Sequence, residues 1–271
     1  MTIDAEATAV SNGNQEIAVT STELVVFDFD ETIVDCNSDT YINVLAPGGT
    51  IPETIWATFQ NDNDWTAYMQ AVFQYLGAAG VTEAEYRRCL ATMPFVEGMK
   101  ALLGRLASGL VVKSGQKTAY EVIVISDANS FFINYTLQVH QLDAGVKKVF
   151  TNPAAFDPTT GVLQMERYHE QNWCPLSARN LCKGHVLKEY IAKRGAEGVH
   201  FERVNYAGDG SNDLCPSLKL GPRDRVFPRV GYPLHKLTLA KQASKELQAP
   251  IFPFVGGEDI WKVLVAGDEH Q

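Results

Sequence analysis

The chain has no apolar run approaching the length of a bilayer span, and residues 1–22 have neither a basic start nor an apolar centre. On pattern, neither a membrane span nor a secretory leader is expected. The expectation is a cytoplasmic protein with segment 1–22, polar and rich in Ala, Thr and Asn, as a disordered tail. Positive charge is scarce: 23 Lys and Arg stand against 32 Asp and Glu, a formal net charge of -9. That balance argues against a nucleic-acid partner, because a phosphate backbone demands a basic surface. Cysteine is sparse and odd in number at five, which excludes a disulfide framework and leaves reduced thiols as the default. There is no internal repeat, low-complexity tract or heptad pattern, and nothing in the sequence fixes an oligomeric state. What remains is 271 residues with 45% hydrophobic content, enough for a sizeable core and slightly long for one compact domain. One domain with an insertion is expected.

The most informative stretch is Phe27-Asp28-Phe29-Asp30-Glu31-Thr32, directly after the apolar run Leu24-Val25-Val26. It reads as a buried strand delivering two carboxylates to a sheet edge, where ligands of open α/β sheets bind. Such an Asp pair resists desolvation, and a divalent cation is its natural neutraliser. A solvated acidic turn would be the better explanation of an isolated pair, but three further features follow in order. Val122-Ile123-Val124-Ile125 ends at Ser126-Asp127-Ala128-Asn129. Lys183 opens a helical pattern running through Ile191. Val204-Asn205-Tyr206-Ala207 then breaks into Gly208-Asp209-Gly210-Ser211-Asn212-Asp213. Each alone suits a cap or a tight turn. Together they form a strong joint signal.

That order resembles the haloacid dehalogenase (HAD) superfamily of phosphatases. The stretches Asn37-Ser38-Asp39, Phe150-Thr151-Asn152-Pro153, Cys182-Lys183, 198–203 and Gly231-Tyr232-Pro233 are similar to the phosphoethanolamine/phosphocholine phosphatase subfamily and, around Tyr75-Leu76-Gly77 and 150–156, to its pyridoxal-phosphate phosphatase sister. The resemblance spans about residues 23 to 262. It implies an α/β fold: a Rossmann-like HAD core with a parallel sheet and an inserted helical cap of the C1 type. The corresponding bounds are core at 23–34 and 119–262, cap at 35–118 and a second tail at 263–271.

The chemistry can be built from the residues. Two-step hydrolysis of a phosphomonoester needs a nucleophile that forms a labile intermediate, and a carboxylate forming an aspartyl phosphate meets this. Asp28 takes that role. Asp30 suits the acid that protonates the leaving group and then the base that activates water. The resemblance implies Mg²⁺ on the Asp28 carboxylate, the Asp30 backbone carbonyl and the Asp209 carboxylate. Ser126 would donate to a phosphate oxygen, and Lys183 would oppose the phosphate and Asp28 as a point charge. Asp213 would orient Lys183 or a metal-bound water, and Asn212 would bond the substrate or Asp28. Asp39 and Asp127 match substrate-contacting acids of the subfamily, although each could equally be a solvated or capping Asp. The functional reading makes them hold the cationic end of a zwitterion, with Tyr41, Trp65 and Tyr68 as aromatic faces for choline.

Elsewhere, Trp65, Met69, Val72, Phe73 and Leu76 share a helix face ended by Gly77 and Gly80. Thr82 and Glu85 form a capping-box signature for a helix through about Met93, and Val96 to Ala107 predicts another. Residues 113–117 read as an exposed connector, Lys148-Val149-Phe150 as a strand, and Pro250 to Val255 as a late edge strand. His169, Cys174, Cys182 and His185 could together hold Zn²⁺, but the Cys spacing is wide and packing or capping is the favoured role. The partner expected is a small phosphomonoester: phosphoethanolamine or phosphocholine, with pyridoxal phosphate as the alternative and pyrophosphate open. A phosphomutase or a binding-only scaffold are the other readings; a dehalogenase is opposed by Asp30 and Asp209.

Overall fold

The computed structural model describes residues 19–62, 64–113 and 116–266. In chain order the elements are β1 (Val19–Phe27), α1 (Ser38–Tyr41), α2 (Glu53–Asp62), α3 (Trp65–Ala78), α4 (Glu83–Leu90), α5 (Met99–Ala107), β2 (Leu110–Lys113), β3 (Gln116–Asn129), α6 (Ser130–Val139) and β4 (Lys148–Asn152). The second half adds β5 (Ala154–Phe156), β6 (Leu163–Met165), α7 (Lys183–Ala196), β7 (Arg203–Gly208), α8 (Leu214–Ser217), β8 (Arg225–Pro228), α9 (Pro233–Ala243) and α10 (Gly257–Val265).

The sheet runs β4-β3-β1-β7-β8, all parallel, with β2 added antiparallel to the first half of β3. β1 sits in the middle, and its side chains alternate between two cores as the strand period requires. Val25 and Phe27 pack among the residues of α3 to α6 and α10, whereas Leu24 and Val26 pack with Val186 and Leu187 of α7. Both faces are covered, which is why β1 and the middle of β3 read as continuous apolar runs. The α/β class and the parallel HAD-type sheet are those expected from sequence.

The topology decides where the site falls. Because β3 and β7 flank β1 in parallel register, Phe27 pairing Val124 and Ala207, the three strands reach the same edge. Asp28 and Asp209 follow β1 and β7, and Ser126 lies in β3 two residues beyond its last pair with β1.

Several boundaries differ from the sequence reading. β1 begins at Val19, inside the segment expected as a tail; residues 1–18 lie outside the described residues, as do 267–271 of the second tail, whose first residues belong to α10. The stretch 35–118 is not one helical unit. α2 packs on α3, and α3 on β6, but α5 packs on α10 and β3, and β2 joins the main sheet. Helical periodicity reports that a helix has an apolar face, not which partner covers it. Of the connector at 113–117, residues 114 and 115 lie outside the described residues. α3 runs through Gly77 and stops before Gly80, whose φ of 82° breaks the helix. α4 starts at the Thr82 box, where Glu85 accepts the Thr82 backbone N–H at 2.7 Å, and ends at Leu90 rather than Met93. The stretch 250–255 makes single parallel bridges, Val226 with Ile251 and Arg229 with Phe254, instead of a strand. No helix among the described residues is long and apolar enough to cross a membrane.

Candidate active site

At the carboxyl edge of the sheet lies a cleft of about 180 Å³ whose lining includes Asp28, Asp30, Asp39, Trp65, Ser126 and Asp209. Asp28 is 5% exposed, and its backbone N–H is fixed to Ala207 O at 2.9 Å, continuing the ladder beyond the strand. Its Oδ1 accepts the Phe29 N–H at 2.7 Å and its Oδ2 meets Lys183 Nζ at 2.7 Å. Lys183 is fully buried at the start of α7, beneath the cleft, and reaches Asp213 Oδ1 at the same 2.7 Å.

Asp213 has no free acceptor left. Oδ1 also takes the Tyr206 hydroxyl at 2.6 Å, and Oδ2 takes the backbone N–H groups of Asp209 and Gly210 at 3.1 and 2.9 Å. This anchoring needs space: a Cβ on Gly208 would stand 2.5 Å from Asp213 Oδ2, and one on Gly210 would stand 2.5 Å from Asn212 Oδ1. Both are glycine for close approach.

Charge is unbalanced here. Asp28, Asp127, Asp209 and Asp213 surround the buried ammonium of Lys183, and Asp30 and Asp39 line the same cleft. Burial pushes the Lys183 pKa down, but Asp213, Asp28 and Asp127 more than reverse this, so it lies above the ordinary lysine value. The carboxyls of Asp28, Asp30, Asp39, Asp127 and Asp209 are raised as well, burial being the first cause for each. Burial, then Asp213, raises Asp28 despite Lys183. Burial and then Asp39 push Asp30 to about 8, burial and then Asp213 push Asp209 to about 7, and burial pushes Asp39 to about 6. Burial and mutual repulsion both favour the protonated form of these acids.

The donor set fits a hard divalent ion. Oxygens of Asp28, Asp209 and Asp213 lie within 4.8 Å of one another. Asp213 is consumed by its four donors, so Asp28 and Asp209 are the carboxylates left to bind, and Asp209 has only the Thr32 hydroxyl near it at 3.4 Å. Asp30 Oδ1 is buried without a hydrogen-bond partner. Oxygen-rich, cation-poor sites of this kind suit Mg²⁺ better than a soft metal.

Every site residue singled out in the sequence lies at or directly beneath the cleft, although the contacts of two differ from expectation. Asn212 donates to Asp127 Oδ2 at 2.6 Å, not to Asp28. Asp127 Oδ1 is taken by the Asn180 amide at 3.3 Å, and its backbone carbonyl accepts from Asn152 at 2.6 Å. Asp39 differs: Trp65 Nε1–H donates to Oδ2 at 2.7 Å, while the buried Oδ1 makes no hydrogen bond of good geometry, with the Asn129 side chain near enough to favour the charged carboxylate. Of the three proposed aromatic faces only Trp65 lines the cleft; Tyr68 packs on it at 5.0 Å, and Tyr41 donates to Thr92 O.

Sequence reasoning missed Arg229, whose guanidinium donates to Glu31 O at 2.7 Å and pairs with Asp35, while Tyr232 donates to Glu31 Oε2 at 2.9 Å. These contacts hold the turn after Asp30, where Glu31 adopts φ 52°. Gly231-Tyr232-Pro233 belonged to the resembling stretches, so a signal lay next to Arg229.

The parallel sheet and the Asp-Lys-Asp site at its edge are those of a phosphatase of the HAD class. The chain belongs to the family described as "Putative Phosphatase", whose model matches residues 23–267. It is 41% identical over 213 residues to the pyridoxal phosphate phosphatase PHOSPHO2 of Bos taurus, covering 79% of this chain and 84% of that protein. It is 38% identical over 239 residues to the phosphoethanolamine/phosphocholine phosphatase of Homo sapiens, covering 88% and 86%. A crystal structure of phosphoserine phosphatase in apo form superposes with TM-score 0.55 at 17% identity over 89% of this chain and 98% of that one. A HAD family hydrolase from Salmonella enterica serovar Typhi gives TM-score 0.57 at 17% identity, covering 93% and 73%. At those identities the two structures show the shared fold.

Proposed function

We propose that the cleft hydrolyses phosphoethanolamine or phosphocholine in two steps, through a phosphoryl group carried on Asp28. The observation that carries this reading is the Asp28 carboxylate set at the floor of the cleft, held at 2.7 Å by both the Phe29 N–H and Lys183. A carboxylate so fixed has lost little freedom left to lose when phosphorus approaches. Lys183 offsets charge on the transferring group, and the hydroxyl of Ser126, which lines the cleft, donates to a phosphoryl oxygen. Asp30, with its pKa raised to about 8, holds a proton at neutral pH for the alkoxide leaving group. Once deprotonated it can take a proton from the water that cleaves the aspartyl phosphate. Mg²⁺, held by the Asp28 and Asp209 carboxylates and the Asp30 carbonyl, would neutralise phosphoryl charge.

Substrate choice rests on Asp39. Asp39 and Trp65 both line the cleft, and Trp65 belongs to an aromatic group with Trp56, Phe59 and Tyr68. A buried acceptor beside an aromatic face suits an ammonium or a quaternary amine. Asp127, bonded at both oxygens, shapes the cleft more than it binds the cation. Helices α2 to α4, which supply Trp65, would act as the cap that limits the cleft to small molecules and excludes water.

Pyridoxal phosphate is the second reading, favoured by the similarity to the bovine enzyme named for it. Relative kcat/KM values for phosphoethanolamine, phosphocholine, pyridoxal phosphate and pyrophosphate, with Mg²⁺, test the choice. A preference for pyridoxal phosphate would overturn the zwitterion reading.

A further inference from the structure

On the far side of Lys183 from the cleft, three thiols meet. Cys174 comes from the long connection between β6 and α7, Cys182 immediately precedes α7, and Cys215 lies in α8, two residues after Asp213. Cys174 Sγ is 3.4 Å and Cys182 Sγ 3.8 Å from Cys215 Sγ, and all three sulfurs fall within 4.8 Å of one another. Sulfurs bound at ~2.3 Å to one tetrahedral ion stand ~3.8 Å apart. The sequence had grouped Cys174 and Cys182 with two histidines, but those are engaged elsewhere. His169 Nε2 accepts the Cys182 N–H at 2.8 Å, and His185 Nε2 faces Glu189 at 3.2 Å. Cys215 takes their place.

We propose that Cys174, Cys182 and Cys215 form a binding site for a thiophilic cation, Zn²⁺ in the first instance, distinct from the oxygen-donor site at Asp28. The surroundings are built for it. The connection carrying Cys174 has neither helix nor strand from residue 166 to 182, and between Tyr168 and Leu181, which reach the core, Trp173 and Leu176 are 54% and 41% exposed, so little apolar packing holds the part around Cys174. The buried Gln171 gathers it instead, accepting the Cys174 N–H at 2.9 Å and donating to the carbonyls of Cys174, Ser177 and Ala178. Cys174 is therefore presented inward by a preformed turn. A pocket of about 450 Å³ lined by Gln171, Cys174, Ser177 and Arg179 gives solvent access to that sulfur. A fourth donor is at hand in the Ser177 hydroxyl, 3.4 Å from Cys174 Sγ, or in water from the pocket. Thiolate donors select Zn²⁺ against Mg²⁺ and Ca²⁺, and each thiol gives its proton to solvent as the ion binds. The clip would join the connection to the residue before Lys183 and to the helix after Asp213, closing a 41-residue separation where metal clips stabilise most.

The test is a Co²⁺ titration of the reduced full chain under anaerobic conditions with Mg²⁺ in excess, so that carboxylate sites are filled. One equivalent should give near-ultraviolet thiolate-to-cobalt absorption that Zn²⁺ abolishes, that Cys174→Ala loses and that Cys89→Ala keeps. No such absorption, or its full retention in Cys174→Ala, overturns the site. A second measurement uses only wild-type protein: one equivalent of Zn²⁺ should slow iodoacetamide labelling of Cys174, read by mass spectrometry, at least tenfold. Equal labelling with and without Zn²⁺ means the three cysteines serve only as packing and overturns the proposal.

Discussion

The Trp65 indole N–H donates to Asp39 Oδ2 at 2.7 Å, so a residue of α3 sets the state of a carboxylate 26 positions earlier in the chain. Burial raises the Asp39 pKa to about 6, and the Trp65 bond acts against that rise. Trp65→Phe removes the donor and leaves Asp39 more readily protonated. KM for phosphoethanolamine should rise about tenfold, equivalent to ~1.4 kcal/mol for a hydrogen bond to a charged group. Asp39→Asn should raise it at least as far. Neither should change p-nitrophenyl phosphate hydrolysis appreciably, and pyridoxal phosphate, without an aliphatic ammonium, should respond less. Steady-state kinetics on the three substrates decide; equal damage to all would mean that Asp39 supports the fold and not the cation.

Asp30→Asn should reveal its acid role through the leaving group. With phosphoethanolamine, whose alkoxide needs a proton, kcat should fall by roughly 10²-fold or more. With p-nitrophenyl phosphate, the rate of phosphoryl transfer measured in a single turnover should fall far less. An equal deficit for both would remove Asp30 from leaving-group protonation.

Stability of the metal-free protein should fall as pH rises. In the folded chain Asp30 and Asp209 keep protons up to about pH 8 and about pH 7, whereas their unfolded reference is 3.8. Between these limits the folded state binds more protons than the unfolded state, and the slope of unfolding free energy with pH is negative. Mg²⁺ bound to the Asp209 carboxylate would take the place of its proton, while Asp30 keeps its own, so the Mg²⁺ increment in Tm should be larger at pH 8 than at pH 6. Thermal melts with EDTA or Mg²⁺ at both values check this, and a Tm increment independent of pH would contradict it. The same EDTA treatment should abolish turnover, and Mg²⁺ should restore it.

Gly208→Ala should impair activity without touching the cleft surface. The new Cβ would stand 2.5 Å from Asp213 Oδ2, forcing that carboxylate off the Asp209 and Gly210 N–H groups and away from Lys183. Overpacking of this kind costs about 1–3 kcal/mol of stability. Denaturant melts and kcat should both show the loss; wild-type kcat in Gly208→Ala would mean that the Asp213 bonds do not position Lys183.

The residues that could be read from the sequence are those announced by their own neighbours. Asp28, Ser126 and Asp209 each follow an apolar stretch of strand, and Lys183 opens a helical pattern, so local chemistry marks them and parallel topology brings them together. What escaped are partners whose identity exists only in three dimensions. Arg229 reaches Glu31 across 198 positions, Asn180 reaches Asp127 across 53, and Cys215 meets Cys174 across 41. The assignment of α5 failed for a related reason: Met99, Leu102, Leu103 and Leu106 show an apolar face, but α10, which covers it, lies at the other end of the chain. The glycines at 208 and 210 were legible as a turn, while their actual constraint, room for the Asp213 and Asn212 side chains, was not.

The central claim is that Asp28 carries the phosphoryl group, and the most direct measurement is to trap it. Asp30→Asn, slowed in the hydrolysis step, would be mixed with p-nitrophenyl phosphate and Mg²⁺, quenched in acid within one turnover, and mapped by peptide mass spectrometry. A phosphoryl group on the peptide containing Asp28, absent when Asp28→Asn is added to the same background, is the predicted result. A burst of p-nitrophenol with phosphate already free in solution, or a phosphoryl group on any other residue, would contradict the account.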